Sequence, residues 1–418
     1  MSYTLFFVYL VFFCWLLTRI KFITTTGLGN KLIIILFLCR IIAGAVNGYI
    51  NLYFYQQTDT LFFHLQGIAE YHLLFHDPRA YLSDLFQNNY QEGYSRIFDS
   101  TNSFWNDLRS NLIIKMLSIF NIASGSNYFI NQIFYNFLIF IASAAFFKIF
   151  SVFFPAKKNT LIICVFLLPS FLYFTSGLHK DGLIFLGLGI VSFNVMQVLV
   201  KGTSLKRYMY IFAGLLIIFL MRNFVFLLLV PALIAWLMSE RNKKPMQTFI
   251  ITYFLFASLF FLSGFLNSKL NLLHYVSERQ IEFMDLSKNS ASAIHVNPLF
   301  PNFRSFLNNL PQAINHTFMR PYITETSNLL YLPASIEILA YQILLFLFLF
   351  FGNKNLIHQP FLYFTIFFSV SMFVLIGFTI PILGAIVRYR SVFLPLLITP
   401  IACSVNWTFL EKKKHIIK

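Results

Sequence analysis

The chain has 418 residues, of which 58% are hydrophobic, 19% aromatic and only 11% charged, and its mean hydropathy is +0.71. This composition excludes a soluble globular domain and predicts an all-α, polytopic helical membrane protein, because many apolar runs reach the roughly 20 residues of a membrane helix. The net charge of +16 does not indicate a nucleic-acid partner, since the basic residues cluster in short connectors between apolar runs, as in cytoplasmic membrane loops.

Apolar runs predict about eleven membrane spans within a single integral-membrane domain, residues 1–418. Their approximate ranges are 3–18, 32–54, 126–147, 159–176, 182–200, 208–221, 224–238, 247–266, 335–351, 360–382 and 391–409. The first run has neither a basic residue before it nor a small-residue cleavage site. We therefore expect a retained span there and not a signal peptide.

Basic residues recur in every second connector, which predicts the orientation of the chain. These residues are Arg19, Lys21, Lys31, Lys148, Lys157, Lys158, Lys201, Lys206, Arg207, Arg241, Lys243, Lys244, Lys354 and Lys412 to Lys414. By the positive-inside rule they face the cytoplasm, so the prediction is an inner (cytoplasmic) membrane protein with its N-terminus outside and its C-terminus inside. Two long loops, 55–125 and 267–334, then face outward, and both contain stretches with the spacing of interfacial helices.

The stretch from Gln56 to His64 follows the second span and contains Asp59, the first carboxylate of the chain. Residues at helical spacing predict a two-faced helix, with Asp59, Phe63, Gln66 and Glu70 on one side and Leu61, Leu65, Ile68 and Phe75 on another. Asp59, a carboxylate just beyond the end of a predicted span, is a candidate proton acceptor. Gln66 and Glu70 on the same side of the helix are candidate substrate ligands. The alternative is that Asp59 only caps the helix.

Arg40 lies nine residues beyond Lys31 inside the second span, about 14 Å along the helix. Gly44 and Gly48 follow at i+4 and i+8, and such small residues mark a packed helix face. Arg40 is therefore predicted to face the interior of the helix bundle, as a substrate ligand or as a structural charge.

Further cations fall on the predicted outer side. His179-Lys180-Asp181 forms a polar turn between two spans, where Asp181 could instead cap the next helix, and Arg222 interrupts a long apolar hairpin. Arg320 ends the second long loop. The guanidinium group matches phosphate oxygens, so these positions are candidate phosphate ligands, with a structural role as the alternative.

Arg388-Tyr389-Arg390 is predicted to be a short outward loop before the last span, against the positive-inside trend. Arg388 and Arg390 are therefore candidates for anion binding. The four cysteines all lie in apolar runs, no ligand spacing indicates a metal, and the sequence has no GxGxxG, P-loop or HExxH motif.

The outward Asp59, the helix that follows it and the Arg-Tyr-Arg-x-x-x-x-Pro stretch at 388–395 together resemble the GT-C superfamily of integral-membrane glycosyltransferases, which use polyprenyl-phosphate-linked sugars. The resemblance covers the layout and these short motifs. It implies Asp59 as catalytic base or metal ligand, so a divalent metal stays an open alternative. It also implies His179, Lys180, Arg388 and Arg390 as ligands of the lipid phosphate. The layout is also similar to that of Wzy-type polysaccharide polymerases.

These observations predict a glycosyltransferase whose active face is extracytoplasmic and whose partners are a polyprenyl-phosphate-linked sugar donor and membrane lipid. A polysaccharide polymerase or ligase uses the same donor chemistry and differs in its acceptor. A transporter of lipid-linked glycans is the third hypothesis, which predicts polar groups in broken helices within the membrane. The sugar, the acceptor and the oligomeric state stay open.

Overall fold

A computed structural model of the chain describes residues 2–55, 58–86, 93, 103–266, 271–288, 290–325, 331–353 and 358–407. The regular structure of these residues is helical, without a β-strand.

The helices in chain order are α1 (Ser2–Leu17), α2 (Lys21–Thr24), α3 (Asn30–Tyr53), α4 (Asp59–His76), α5 (Pro78–Ser83), α6 (Phe104–Ser124), α7 (Tyr128–Phe153), α8 (Lys158–Phe166), α9 (Pro169–Ser176), α10 (Lys180–Lys201), α11 (Leu205–Met221), α12 (Asn223–Asn242), α13 (Pro245–Leu266), α14 (Leu272–Ser287), α15 (Phe303–Phe318), α16 (Leu332–Phe351), α17 (Pro360–Thr379), α18 (Leu383–Ser391) and α19 (Leu394–Ser404). Short 3-10 turns lie at Asp84–Phe86 and Ile323–Glu325. The predicted basic residues Lys354 and Lys412 to Lys414, with Gln56 and Gln57, lie outside the described ranges.

Seven of the described helices are long and apolar enough to cross a membrane: α3, α7, α10, α12, α13, α16 and α17. Two bent pairs, α8 with α9 at 45° and α18 with α19 at 67°, raise the number to nine if each pair is one span. The chain is thus a multi-pass helical protein, as predicted, but eleven spans are not confirmed. The helices at predicted spans 3–18 and 208–221 have 16 and 17 residues, which is short for a hydrocarbon core of about 30 Å.

The chain divides into two compact units. The first comprises Met1–Ile149 and Leu172–Asn223, and the second comprises Phe150–Phe171 and Phe224–Lys418. The first long loop of the prediction, 55–125, contains α4, α5 and α6 in the first unit. The second, 267–334, contains α14 and α15 in the second unit.

In the first unit, capping side chains set where the loop helices begin and end. The Thr58 hydroxyl accepts a hydrogen bond from Leu61 N at 3.2 Å and so caps α4. Ser103 caps α6 in the same way through Asn106 N, and α6 ends at Gly125 in the left-handed conformation. The alternative that Asp59 is the helix cap is therefore wrong, because Thr58 takes that position.

Helix α4 packs against α6 at Gly67 and leaves part of its predicted apolar face exposed. The buried face of α4 carries Thr60, Phe63 and Gly67, whereas Leu65 and Phe75 are exposed. The side-chain amide of Asn121 on α6 donates to Gly67 O at 2.9 Å. Small residues allow helix backbones to approach closely, so the packed face of α4 is centred on Gly67 and not on the exposed Leu65 and Phe75.

In the second unit, α17 is mostly buried and contacts α15 at Gly377. A Cβ atom added at Gly377 would lie 2.7 Å from the backbone carbon of Ala313 and 2.8 Å from its Cα. Because backbone atoms block this position, a larger residue requires the two helices to separate.

We expect Gly377→Ala to lower the free energy of unfolding by about 1–3 kcal/mol, the usual cost of overpacking. Thermal unfolding of the purified full-length protein in detergent measures this effect. Gly384→Ala is the matched control, since the nearest atom to its added methyl group would be 3.4 Å away. Equal unfolding midpoints for the two variants would contradict the close helix contact.

Candidate functional site

The site in the first unit is built around the non-helical residues between α9 and α10. Helix α9 ends at Ser176 and α10 begins at Lys180, so His179 is extended and precedes the first turn of α10. Carbonyl groups at such a break have no partner within the helix and need donors from elsewhere. Side chains from α3 and α7 supply those donors.

Three carbonyl groups at the break accept hydrogen bonds from buried side chains. Arg40 Nη2 donates to Thr175 O at 3.0 Å and to Thr175 Oγ1 at 2.8 Å. Asn136 Nδ2 donates to Ser176 O at 2.8 Å. The Tyr135 hydroxyl donates to His179 O. The break is therefore rigidly supported although it lies beside membrane-spanning helices.

Arg40 is 2% exposed and lies on the packed face that the glycine spacing predicted. Gly44 lies against Gln132 and the backbone of Ser176, and Gly48 lies against the Tyr128 ring. The positive guanidinium group also suits the negative C-terminal end of a helix. These contacts favour the structural interpretation of Arg40 over direct contact with a substrate.

The sequence-predicted residues His179 and Lys180 lie beside the start of α4. The Thr60 hydroxyl is 3.0 Å from His179 Nε2 and 3.2 Å from Nδ1. Lys180 Nζ donates to Ser110 Oγ of α6 at 3.2 Å and lies 5.3 Å from the centre of the Phe63 ring. Two helices of the first long loop, α4 and α6, thus contact the first residues of α10.

Asp59 is the first residue of α4 and its side chain is exposed. The next residue, Thr60, is fully buried against His179. Phe63, one turn further along α4, carries the Lys180 ammonium group over its ring. Asp59 thus begins the helix whose following residues contact His179 and Lys180, and it is itself exposed.

Asp181 and Arg222 form a buried ion pair in the first unit. Arg222 Nη2 lies 2.7 Å from Asp181 Oδ1, Asp181 is fully buried and Arg222 is 7% exposed. Arg222 directly follows α11 in an extended conformation, which agrees with the predicted helix break. The guanidinium group predicted to bind phosphate therefore faces a protein carboxylate.

Glu70 belongs to an ionic cluster and Gln66 is exposed. Lys115 of α6 pairs with Glu70 and, at 3.3 Å, with Asp84, and its ammonium group lies 3.9 Å from the centre of the Tyr81 ring. Burial raises the pKa of Glu70, with Asp84 acting in the same direction and Lys115 against it. This cluster joins the loop helices and gives Glu70 a structural partner.

The remaining predicted arginines lie in the second unit. Arg388 and Arg390 are in the last turn of α18, so the predicted short loop is wrong, and the chain bends instead at Val392 and Phe393. Arg390 is 2% exposed and donates to Thr317 O at 2.9 Å and Arg320 O at 2.6 Å, at the C-terminal end of α15. Arg388 is half-buried.

Arg320 lies after α15 and pairs through Nε with Glu325 Oε1 at 3.2 Å. Nearby His316 is 2% exposed. Burial, reinforced by the positive charge of Arg320, lowers the pKa of His316 to about 4. The neutral imidazole is therefore the form that the folded protein holds.

We expect the free energy of unfolding to fall by up to about 3 kcal/mol as the pH drops from 6.5 towards 4. The folded pKa of His316 is depressed, so the unfolded chain binds the extra proton in this window and low pH favours unfolding. His316→Gln should remove this part of the pH dependence. Thermal midpoints of both proteins between pH 7.5 and 4.5 test it, and parallel curves would contradict the assignment.

Glu337, which the sequence analysis did not single out, is a buried carboxylate within α16. Its oxygens accept from Ser170 N at 3.2 Å, at the start of α9, and from the Tyr341 hydroxyl. A carboxylate suits the positive N-terminal end of a helix. The available signal in the sequence was an acid inside an apolar run, two residues after Ser335.

Within the described residues, no group of three or more histidines, cysteines or acids could hold a metal ion. Searches of family models, curated protein sequences and solved structures gave no match to this chain. The GT-C and Wzy resemblances therefore stay predictions, and the function has to be argued from the site itself.

Proposed function

We propose that this chain is an integral-membrane glycosyltransferase that moves a sugar from a polyprenyl-phosphate-linked donor to an acceptor hydroxyl at the extracytoplasmic face. One observation carries the proposal: the exposed Asp59 begins the helix whose next residues contact His179 and Lys180. In this proposal the Asp59 carboxylate and the Lys180 ammonium group border one site at the start of α10. These are the two charges that sugar transfer from a lipid phosphate needs.

The reaction assigns a separate role to each charge. The acceptor oxygen bonds to the anomeric carbon while the bond from that carbon to the phosphate oxygen breaks, and the electron pair leaves with the phosphate. Asp59 takes the proton of the acceptor hydroxyl. Lys180 stabilises the charge on the departing phosphate, aided by the positive N-terminal end of the 22-residue helix α10.

The other predicted ligands fit this reaction unequally. Arg40, Arg222 and Arg390 each direct nitrogen atoms at protein oxygens, which favours supporting roles for them. Arg388 and Arg320, on the second unit, stay predicted phosphate ligands. Gln66 is exposed on α4 and suits contact with the sugar or acceptor.

The decisive experiment uses the full-length protein in nanodiscs with synthetic polyprenyl-phosphate-linked sugars. Transfer should release the polyprenyl phosphate in proportion to the product. A monomeric acceptor and a second lipid-linked glycan, offered separately, distinguish a transferase from a polymerase. Glycan profiling of a deletion strain supplies candidate sugars, and failure to cleave any donor present in that strain would reject the proposal.

A transporter of lipid-linked glycans is the second candidate, and the bent helix pairs favour it. Discontinuous helices with polar side chains at their breaks are typical of secondary transporters. Here α8 and α9 meet at 45°, and α18 and α19 meet at 67°. Glu337 of α16 accepts a hydrogen bond from Ser170 N at the start of α9. In proteoliposomes, a transporter moves the lipid-linked glycan across the membrane and leaves the sugar–phosphate bond of the glycan intact, whereas a transferase breaks that bond.

A further inference from the structure

The first residues of α10 are held by contacts on three consecutive positions. The carbonyl group of His179 accepts from the Tyr135 hydroxyl, and the carboxylate of Asp181 pairs with Arg222. Between them, Lys180 extends to Ser110 and Phe63. His179 and Asp181 are buried, whereas Lys180 between them is only half-buried.

The buried ion pair of Asp181 and Arg222 holds the start of α10. Its desolvation cost is large, so apolar residues of similar volume stabilise a fold as well or better. What the pair adds is direction, because a charge-assisted hydrogen bond fixes the positions of both groups. Since Lys180 is the neighbour of Asp181 on a rigid helix, fixing Asp181 also fixes where the Lys180 side chain begins.

We propose that Asp181 and Arg222 are positioning residues, which hold Lys180 against α6 so that its ammonium group meets the lipid phosphate. The role in phosphate binding rests on the proposed function, whereas the placement of residue 180 does not. Neither Asp181 nor Arg222 contacts the substrate in this proposal. They act through Lys180.

The placement is tested by bridging residues 110 and 180 in the full chain. Ser110→Cys and Lys180→Cys are introduced after the four native cysteines, at 14, 39, 164 and 403, are replaced by alanine. A short bifunctional thiol reagent then links the two positions in nanodiscs. The yield of the 110–180 bridge is measured in three proteins that carry both cysteines. The first keeps Asp181 and Arg222, the second has the neutral pair Asp181→Asn/Arg222→Gln, which leaves no unpaired charge, and the third has the swapped pair Asp181→Arg/Arg222→Asp.

The protein with the neutral pair should stay folded, as judged by its thermal unfolding midpoint. Its bridging yield should nevertheless be several-fold lower, and the swapped pair should restore most of the yield. Asp285→Asn is the matched control, since it breaks an exposed ion pair with Lys288 and should leave the yield unchanged. An unchanged yield in the folded neutral-pair protein overturns the proposal, whatever reaction the protein catalyses.

With Lys180 present, kinetics provide the second readout. The neutral pair should raise the KM for the polyprenyl-phosphate-linked donor roughly tenfold, the loss of about one charge-assisted hydrogen bond, and change the KM for the acceptor little. A purely structural pair would instead lower the amount of active protein and leave both KM values unchanged. That result would overturn the positioning role while leaving the transferase proposal intact.

Discussion

Asp59→Asn is expected to lower the rate of sugar transfer by about 10²- to 10⁴-fold, the contribution typical of a positioned proton acceptor. Asparagine keeps the shape of the side chain but cannot take the proton of the acceptor hydroxyl. Thr58 caps the helix and asparagine keeps the size of the exposed side chain, so folding and membrane insertion should change little. Steady-state transfer by the purified full-length protein measures the loss.

The kinetic pattern distinguishes a proton acceptor from a binding residue. A group that acts in the transition state lowers kcat and leaves donor binding unchanged, whereas a ligand of the ground state raises KM. Asp59→Glu should retain part of the activity because it keeps a carboxylate. Asp285→Asn, an exposed acid of the other long loop, is the control, and wild-type turnover in Asp59→Asn would refute the assignment.

Arg222→Leu is expected to lower the free energy of unfolding by about 3–5 kcal/mol, because it leaves the fully buried carboxylate of Asp181 without its partner. Leucine roughly keeps the apolar part of the side chain, so the effect comes from the unpaired charge. Denaturant or thermal unfolding in detergent measures the change.

Two further variants separate charge from packing at this position. Asp181→Asn combined with Arg222→Leu should recover most of the lost stability, since no buried charge is then unpaired. Lys288→Leu removes the cation of an exposed pair and should cost no more than about 1 kcal/mol. If Arg222→Leu lowers the free energy of unfolding as little as Lys288→Leu does, Asp181 and Arg222 do not form a buried ion pair.

Local sequence patterns predicted the helices of the two long loops and the packed face of α3, but not the packed face of α4. Both long loops contain the predicted helices, and the break at Arg222 lies where the polar residue interrupts the apolar hairpin. On α4, however, the predicted apolar residues Leu65 and Phe75 are exposed. Where lipid solvates apolar side chains, hydrophobicity no longer tells which face contacts protein.

The sequence predicted the charged residues of the candidate site but not the uncharged polar ones. Asp59 and the His179-Lys180 turn stood out because charged residues are rare in this chain, and the structure brings them to neighbouring helices. Thr60, Ser110 and Tyr135 were missed, since single polar residues in helical segments carry no motif. Their role follows only from the partners that the fold gives them.

By itself the sequence determined the class of the protein, because composition and run length decide whether a chain can remain in water or must enter a bilayer. It also determined which few residues carry charge. The tertiary structure alone decided how those charges are used: Arg40 and Arg390 donate to backbone carbonyl groups, Arg222 pairs with Asp181, and Asp59 stays exposed. A buried charge must find a partner, and which partner it finds depends on helices far apart in the chain.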